Sequence, residues 1–347
     1  MNWNWAEEYA LFTKKQLKDG NTSHRKVILA GYYNHNVVVE KDNQRYLLRI
    51  PIENAETMDY RLIPETEVLP FLEEQGFIAP RLLYRGKDDW FFIHSYFEGQ
   101  VFNDLYPAST PFPDWVPKDI ATQMRNLHSL DVSRFSKFTE HIARTPNSSH
   151  FYNSFIEFIQ KIYNNLYPEY KEFYSQLGFP DEPLAIPRRI AENLTNRDFT
   201  FCHCDVHRKN LIITPDQNLV FLDWELVLIT DPLYDIAVHF HKMRYNPHQE
   251  QMFLETYLDC NRETERFQNH WEQIQIYLKL ERIKSAIIDF SRYYTDVKAG
   301  IIDEKRVKFY SEHFYVKLMK AWEVWGIIKE NIGPILIENF LKTKIIQ

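Results

Sequence analysis

Apolar and β-branched residues in residues 26–51 fall in two runs, Val37-Val38-Val39-Glu40 and Tyr46-Leu47-Leu48-Arg49-Ile50. The turn-prone Lys41-Asp42-Asn43-Gln44 separates them, which predicts a hairpin. After Pro64 the apolar positions become Val68, Leu69 and Leu72, with Gly76 as a stop, so a short helix is expected from Glu65. Pro70 falls early enough to be tolerated near its first turn or to bend it. Two further β-forming runs, residues 81–84 and 90–96, end at Glu98-Gly99. Hairpin, helix and strands make a small α+β lobe, residues 1–99. The prolines of residues 106–117 deny both helix and sheet hydrogen bonds and predict a surface connection.

Residues 100–347 read as mainly helical. Phe155, Phe158, Ile159, Ile162 and Leu166 share one helical face, and Ile276, Leu280, Ile283, Ile287 and Phe290 share another. One β-rich insert interrupts them: Thr200-Phe201-Cys202, then Leu211-Ile212-Ile213, a turn at Pro215-Asp216-Gln217-Asn218, and Leu219-Val220-Phe221-Leu222. No internal repeat or long heptad pattern alters this two-lobe picture.

Composition narrows the class. A chain of 347 residues exceeds the usual single core, and its 44% hydrophobic and 26% charged content is ordinary for a globular protein. Nine glycines argue against a long glycine-rich phosphate loop. The net charge of −7 argues against a general nucleic-acid binder and suits a cationic small substrate. Three cysteines form no disulfide framework, residues 1–15 lack a signal-peptide pattern, and no apolar run approaches the roughly 18 residues of a membrane span. A cytoplasmic protein is expected, with neither nucleic acid nor membrane as partner.

The chemistry concentrates between Cys202 and Glu225. Asp205 precedes Asn210 by five positions, and Asp223 follows the next strands. Asn210 therefore enters one strand and Asp223 leaves the next, where both could reach one cation. Phosphoryl transfer needs such a set: one carboxylate to orient the acceptor hydroxyl and take its proton, and two oxygen ligands to hold Mg²⁺ against nucleotide phosphates.

His203-Cys204-Asp205 through Asn210, the strand after it and Asp223-Trp224-Glu225 resemble the aminoglycoside phosphotransferase and choline kinase family, from about residue 26 to 235. That pattern is His-x-Asp-x-x-x-x-Asn, a strand, then Asp-x-Glu. The resemblance implies a protein-kinase-like two-lobe α+β fold with a small β-rich N-lobe and a larger, mainly helical C-lobe at residues 100–347. The C-lobe would carry the catalytic loop and the acceptor site. Asp205 is then catalytic, Asn210 and Asp223 hold Mg²⁺, and His203 supports the loop backbone. Asp231-Pro232-Leu233-Tyr234-Asp235 would open a supporting helix, with Asp235 structural. Arg49 stands where the family clamps nucleotide phosphates, an arginine in place of the commoner lysine. Glu65 is its expected partner, with Glu67 the rival. Gly31-Tyr32-Tyr33-Asn34-His35-Asn36 occupies the place of the phosphate-covering loop, with Asn34 as a nucleotide contact or as part of an ordinary turn.

Other readings are weaker. Cys202, Cys204 and His207 are good zinc ligands, but no fourth ligand at suitable spacing appears. Asp205 and Glu225 could pair as in a glycosidase, which leaves Asn210 and Asp223 without a role. Arg208 and Lys209 could stabilise charge on the transferring phosphoryl group or face solvent, with only one of them expected to point inward. Trp271, Tyr293, Tyr294 and Trp322 could cage a quaternary ammonium, although helical spacing favours core. The expected function is transfer of the γ-phosphoryl group of ATP, with Mg²⁺, to a hydroxylated small molecule. An aminoglycoside or related natural product leads; choline or ethanolamine is the alternative, and a catalytically silent nucleotide-binding kinase fold is the second alternative.

Overall fold

The computed structural model describes residues 3–18, 28–29, 33–52, 61–107, 110–135, 147–300 and 302–343. Lys26, Gly31, Tyr32, Ala108 and Ser109, which entered the expectations above, lie outside them. The chain divides into two compact units, residues 1–130 with 201–228, and residues 131–200 with 229–347.

In the first unit, helix α1 (Asn4–Lys18) precedes a five-stranded sheet in the order β1-β2-β3-β5-β4. The strands are β1 (Ile28–Leu29), β2 (Asn34–Lys41), β3 (Gln44–Pro51), β4 (Leu82–Arg85) and β5 (Phe92–Ser95). Strands β2 and β3 pair antiparallel with Val37 opposite Leu48. Asp42 and Asn43 both take positive φ, which matches the hairpin turn to the strand twist. Val37, Val39, Tyr46, Leu48 and Ile50 point to one face and bury Ala6 and Ala10 of α1. Trp3, Trp5 and Tyr9 pack on the same core. Strand periodicity predicted the sheet, but α1 was not anticipated.

Helix α2 (Glu65–Glu74) buries Val68, Leu69 and Leu72. Its end is set by Gly76 at φ 68°, where Gly76 N–H donates to Glu73 O and Phe77 N–H to Leu72 O. Pro70 lies in the second turn rather than the first, so the helix forgoes one interior hydrogen bond. The proline-rich segment is likewise not all connection. Trp115-Val116-Pro117 form the first turn of α4 (Trp115–His128), where a missing N–H costs nothing; α3 (Phe102–Leu105) precedes it.

The unit's second sheet has the order β6-β8-β9, from β6 (Gln100–Val101), β8 (Leu211–Ile213) and β9 (Leu219–Phe221); β7 (Thr200–Cys202) leads in. Strands β8 and β9 pair as a hairpin between Asn210 and Asp223, as the sequence pattern predicted.

The second unit is built from α5 (Ser148–Gln176), α6 (Ala185–Ile190), α7 (Pro232–Met243), α8 (Pro247–Leu258), α9 (Glu265–Lys298), α10 (Glu304–Trp325) and α11 (Pro334–Thr343), with β10 (Leu228–Thr230) before α7. The predicted face of α9, Ile276, Leu280, Ile283, Ile287 and Phe290, is buried throughout, and α9 packs against both α7 and α10. On α5, Phe155, Ile159 and Ile162 are buried, while Phe158 and Leu166 are half-buried. Asp231 caps α7: Oδ1 accepts from Leu233 N–H at 2.9 Å, and Oδ2 from Tyr277 Oη at 2.9 Å and Arg197 Nη1 at 3.2 Å. Asp235 is fully buried one turn on. Among the described residues no helix is long and apolar enough to cross a membrane.

Gly99 joins the two sheets of the first unit at φ 152°, and a Cβ there would meet Ile213 O at 2.3 Å. Gly99→Ala is expected to destabilise by about 2 kcal/mol or more, read as a lowered midpoint in urea.

Candidate active site

The site grows out of two hydrogen-bonded scaffolds in the first unit. In the first, the imidazole of His203 is fully buried between Phe221 and Trp224. Its Nε2 donates to Leu222 O at 3.1 Å and its Nδ1 accepts from Asp205 N–H at 3.3 Å. One ring therefore joins the start of the catalytic loop to the end of β9. Asn210 adds a second tie: its N–H donates to His207 O and its carbonyl accepts from Leu222 N–H, each at 2.8 Å. The residue after Leu222, Asp223, takes a left-handed conformation (φ 64°, ψ 70°) that turns the chain out of the strand.

Asp205 and Asn210 are both buried and in contact. Asn210 Nδ2 donates to Asp205 Oδ2 at 2.9 Å and to Asp205 O at 3.1 Å, which reserves Oδ1 of Asn210 as an acceptor. His207 Nε2 lies 3.6 Å from Asp205 Oδ2.

The second scaffold is centred on Arg49, which β3 directs into the interior with a side chain 3% exposed. Nη1 donates to Glu65 Oε2 at 2.5 Å, at the first turn of α2. Nη2 donates to Asp223 Oδ1 and to Glu225 Oε2, each at 2.8 Å. Glu225 Oε2 also accepts from Asn34 Nδ2 at 2.6 Å, at the start of β2. Glu67, the alternative partner for Arg49, lies instead 3.9 Å from Arg85.

Electrostatics make this scaffold unbalanced. One guanidinium faces three carboxylates. Burial works against the charge on Arg49, but Glu65, Asp223 and Glu225 together hold its pKa above the usual range. Burial raises Glu65, with Arg49 opposing. Burial and then the Asp223 charge push Glu225 up to about 8, against the pull of Arg49 and Asn34. Arg49 Nε and Glu65 Oε1 are buried without hydrogen-bond partners among the described residues. His94 on β5, also buried and repelled by Arg49, is pushed down to about 4 and stays neutral.

The residues fit a hard divalent cation. Asp223 is the least buried member, its side chain 30% exposed, and it commits only Oδ1 to Arg49. Asn210 keeps Oδ1 free of its contact with Asp205. An all-oxygen donor set beside excess negative charge is the chemistry Mg²⁺ requires.

Two residues outside the sequence-derived set belong here. Glu225 entered as the last residue of the Asp-x-Glu pattern and as one half of a glycosidase pair, with no contact assigned, yet it joins Arg49 to Asn34. Its signal was its place two residues after Asp223, on the far side of a left-handed turn. Arg208 is buried, and its Nη1 donates to the carbonyls of Tyr106, Pro107 and Thr110 at 2.8, 2.6 and 3.3 Å, with Phe112 under the guanidinium. It braces the loop; Lys209 is exposed. Cys204 and His207 join no cluster of three metal-ligating side chains among the described residues. In the second unit the aromatic candidates have separate partners: Tyr294 packs on Tyr170, Tyr293 stacks on Tyr310, Trp271 stacks on Phe267, and Trp322 Nε1 donates to Leu177 O.

Two outcomes follow. A carboxyl with a folded pKa raised from 4.5 to about 8 binds more protons folded than unfolded across that interval, so its contribution to stability falls as pH rises. Glu225→Gln is expected to flatten the decline in urea stability between pH 5 and 8 without metal, a difference of a few kcal/mol at most. Arg208→Ala should lower stability by about 2 kcal/mol, since three carbonyls lose a charged donor, whereas Lys209→Ala should leave the denaturation midpoint unchanged.

Haemophilus influenzae protein LicA is 27% identical over 166 residues, 46% of this chain and 47% of LicA. The chain spans about half the length, or less, of the curated relatives it matches. A Plasmodium vivax ethanolamine kinase superposes with a TM-score of 0.54 at 15% identity, over 92% of this chain and 81% of its own. Choline kinase LicA from Streptococcus pneumoniae gives 0.53 at 17% identity, over 90% and 99%. The gentamicin complex of APH(2″)-IIa gives 0.58 at 15% identity, over 92% and 96%. These likenesses establish the kinase-like fold. The sequence pattern of the phosphotransferase enzyme family, APH, matches residues 24–275, and the chain belongs to that family.

Proposed function

We propose that this protein transfers the γ-phosphoryl group of ATP to a hydroxyl group of a small molecule. The observation that carries the reading is the joint placement of the catalytic-loop pair, Asp205 with Asn210, and of Asp223 held by Arg49. Asp205 accepts the proton of the acceptor hydroxyl and aligns its oxygen for in-line attack. Asn210 and Asp223 supply the oxygen ligands for Mg²⁺, which when bound offsets charge on the nucleotide phosphates. Arg49 sets the Asp223 carboxylate and offers its guanidinium to phosphate oxygens. Asn34 and Glu65 act on the nucleotide through Arg49 and Glu225, the contacts they make here. A catalytically silent kinase fold is disfavoured because the proton-accepting group and both metal ligands are all retained. Among the described residues no disulfide joins Cys202, Cys204 or Cys260, which accords with a reducing, cytoplasmic setting.

The named relatives bring two acceptor classes, aminoglycosides and choline or ethanolamine, and both belong in the assay. ADP release from Mg·ATP should be stimulated by one acceptor class. Asp205→Asn should lower kcat by roughly 10²- to 10⁴-fold while ATP affinity by calorimetry stays near wild type. Equal loss of binding and turnover would remove Asp205 from the proton-transfer role. Asp223→Ala should instead weaken nucleotide binding in Mg²⁺ and not in EDTA; the same affinity in both conditions counts against its metal role.

A further inference from the structure

The helical unit holds a group of cations that phosphoryl transfer, as described, does not use. Arg244 ends α7 in a left-handed conformation (φ 56°, ψ 51°), its N–H donating to Phe240 O at 3.2 Å. Glycine is the low-strain residue there, because a Cβ crowds the following carbonyl, so this arginine is held at a cost in backbone strain. One turn earlier in α7, His241 is buried, and its Nδ1 has no hydrogen-bond partner among the described residues. Lys317 of α10 is mostly buried against Asp289 of α9 and lies 5.9 Å from the Tyr293 ring centroid. Lys320, one turn further along α10, is half-buried.

The carboxylates nearby do not neutralise this set. Asp289 is shared by Lys317, by Arg292 at 3.8 Å and by Ser285 Oγ at 2.9 Å. Glu323 is exposed and pairs with Arg282 at 3.3 Å. Burial pushes Glu250 of α8 up to about 7, so it is about half ionised at neutral pH. Among the described residues neither Arg244 nor Lys320 lies within ion-pair distance of a carboxylate. Burial and then the charges of Arg282 and Arg244 lower Lys320. Burial and then Lys317 and Lys320 hold His241 well below its usual range. Half-buried like charges destabilise a fold, and a bound anion removes that penalty.

We propose that Arg244, Lys320, Lys317 and His241 form a site for the anionic group, phosphate or carboxylate, of a small-molecule ligand. Arg244 and Lys320 make the direct ion contacts, the guanidinium presenting two parallel donors. Lys317, anchored by Asp289, adds charge, and the neutral His241 imidazole offers Nδ1–H as a fourth donor. The source of the group rests on the phosphotransferase reading: it is carried by the acceptor or by a separate effector. Either ligand is opposite in charge to an aminoglycoside or to choline.

Inorganic phosphate titrated calorimetrically into the full-length protein tests the site without reference to turnover. Wild type should bind, Arg244→Gly and Lys320→Gln should each bind about tenfold more weakly or worse, and Asp205→Asn should bind like wild type. Arg244→Gly should also raise Tm by relieving the left-handed strain, so its loss of affinity cannot be ascribed to misfolding. Equal phosphate affinity in wild type and both variants, or no uptake by wild type at millimolar phosphate, overturns the proposal. A rise in KM with kcat retained in Lys320→Gln, with a phosphorylated or carboxylated polyol as acceptor, assigns the group to the acceptor. A phosphate-dependent rate with a neutral acceptor, absent in Lys320→Gln, assigns it to an effector. Failure of every acceptor to release ADP would count against the phosphotransferase reading and leave the binding result standing.

Discussion

The buried guanidinium of Arg49 is the constraint on which the first unit's site depends. Taking a cation out of water is costly, and only well-placed partners offset it. Here the partners come from three places in the chain: Glu65 on α2, and Asp223 and Glu225 on either side of the turn that leaves β9. Losing Arg49 would leave these buried carboxylates without their counter-charge, typically about 3–5 kcal/mol for a broken buried pair. The contact thus ties the N-terminal sheet to the helix after it and to the turn at Asp223. It also leaves more negative than positive charge. Burial and then the Asp223 charge raise Glu225, and under the proposed reading the same cluster holds Asp223 beside the cation.

The catalytic loop is held in a different way, by neutral groups. His203 is buried among aromatics and bridges Asp205 N–H to Leu222 O, while Asn210 ties backbone and side chain to the same two neighbours. Neutral ties suit the proposed role of Asp205, because a cationic brace beside it would work against its accepting a proton. Arg208 provides the charged bracing at a distance, by collecting three carbonyls of the segment that follows α3. Positioning therefore comes from backbone anchoring, and the ionisable groups are left for function.

Much of this was legible in the linear pattern. The β2–β3 hairpin, the terminus of α2 at Gly76, the β8–β9 hairpin and the buried face of α9 follow from periodicities of two or 3.6 residues and from turn residues, which act locally. Asp205, Asn210 and Asp223 could be singled out because their spacing straddles a hairpin. Helix α1 was not anticipated; its buried Ala6 and Ala10 pack on the sheet, a contact that local periodicity does not show. Pro117 was assigned to a connection because prolines deny hydrogen bonds, yet the first turn of a helix does not need the one it lacks.

The sequence by itself determined the element types, the α+β class and the order in which the chemical groups occur. Those properties depend on neighbours within a few residues, where propensity and periodicity speak directly. Only the tertiary structure decided that Glu65 rather than Glu67 meets Arg49, that Glu225 completes that cluster, that Arg208 braces the loop while Lys209 faces solvent, and that Arg244 and Lys320 remain without carboxylate partners among the described residues. Each of those outcomes turns on burial and on charges brought together across tens to hundreds of residues, and a buried charge is defined by its surroundings rather than by its place in the chain.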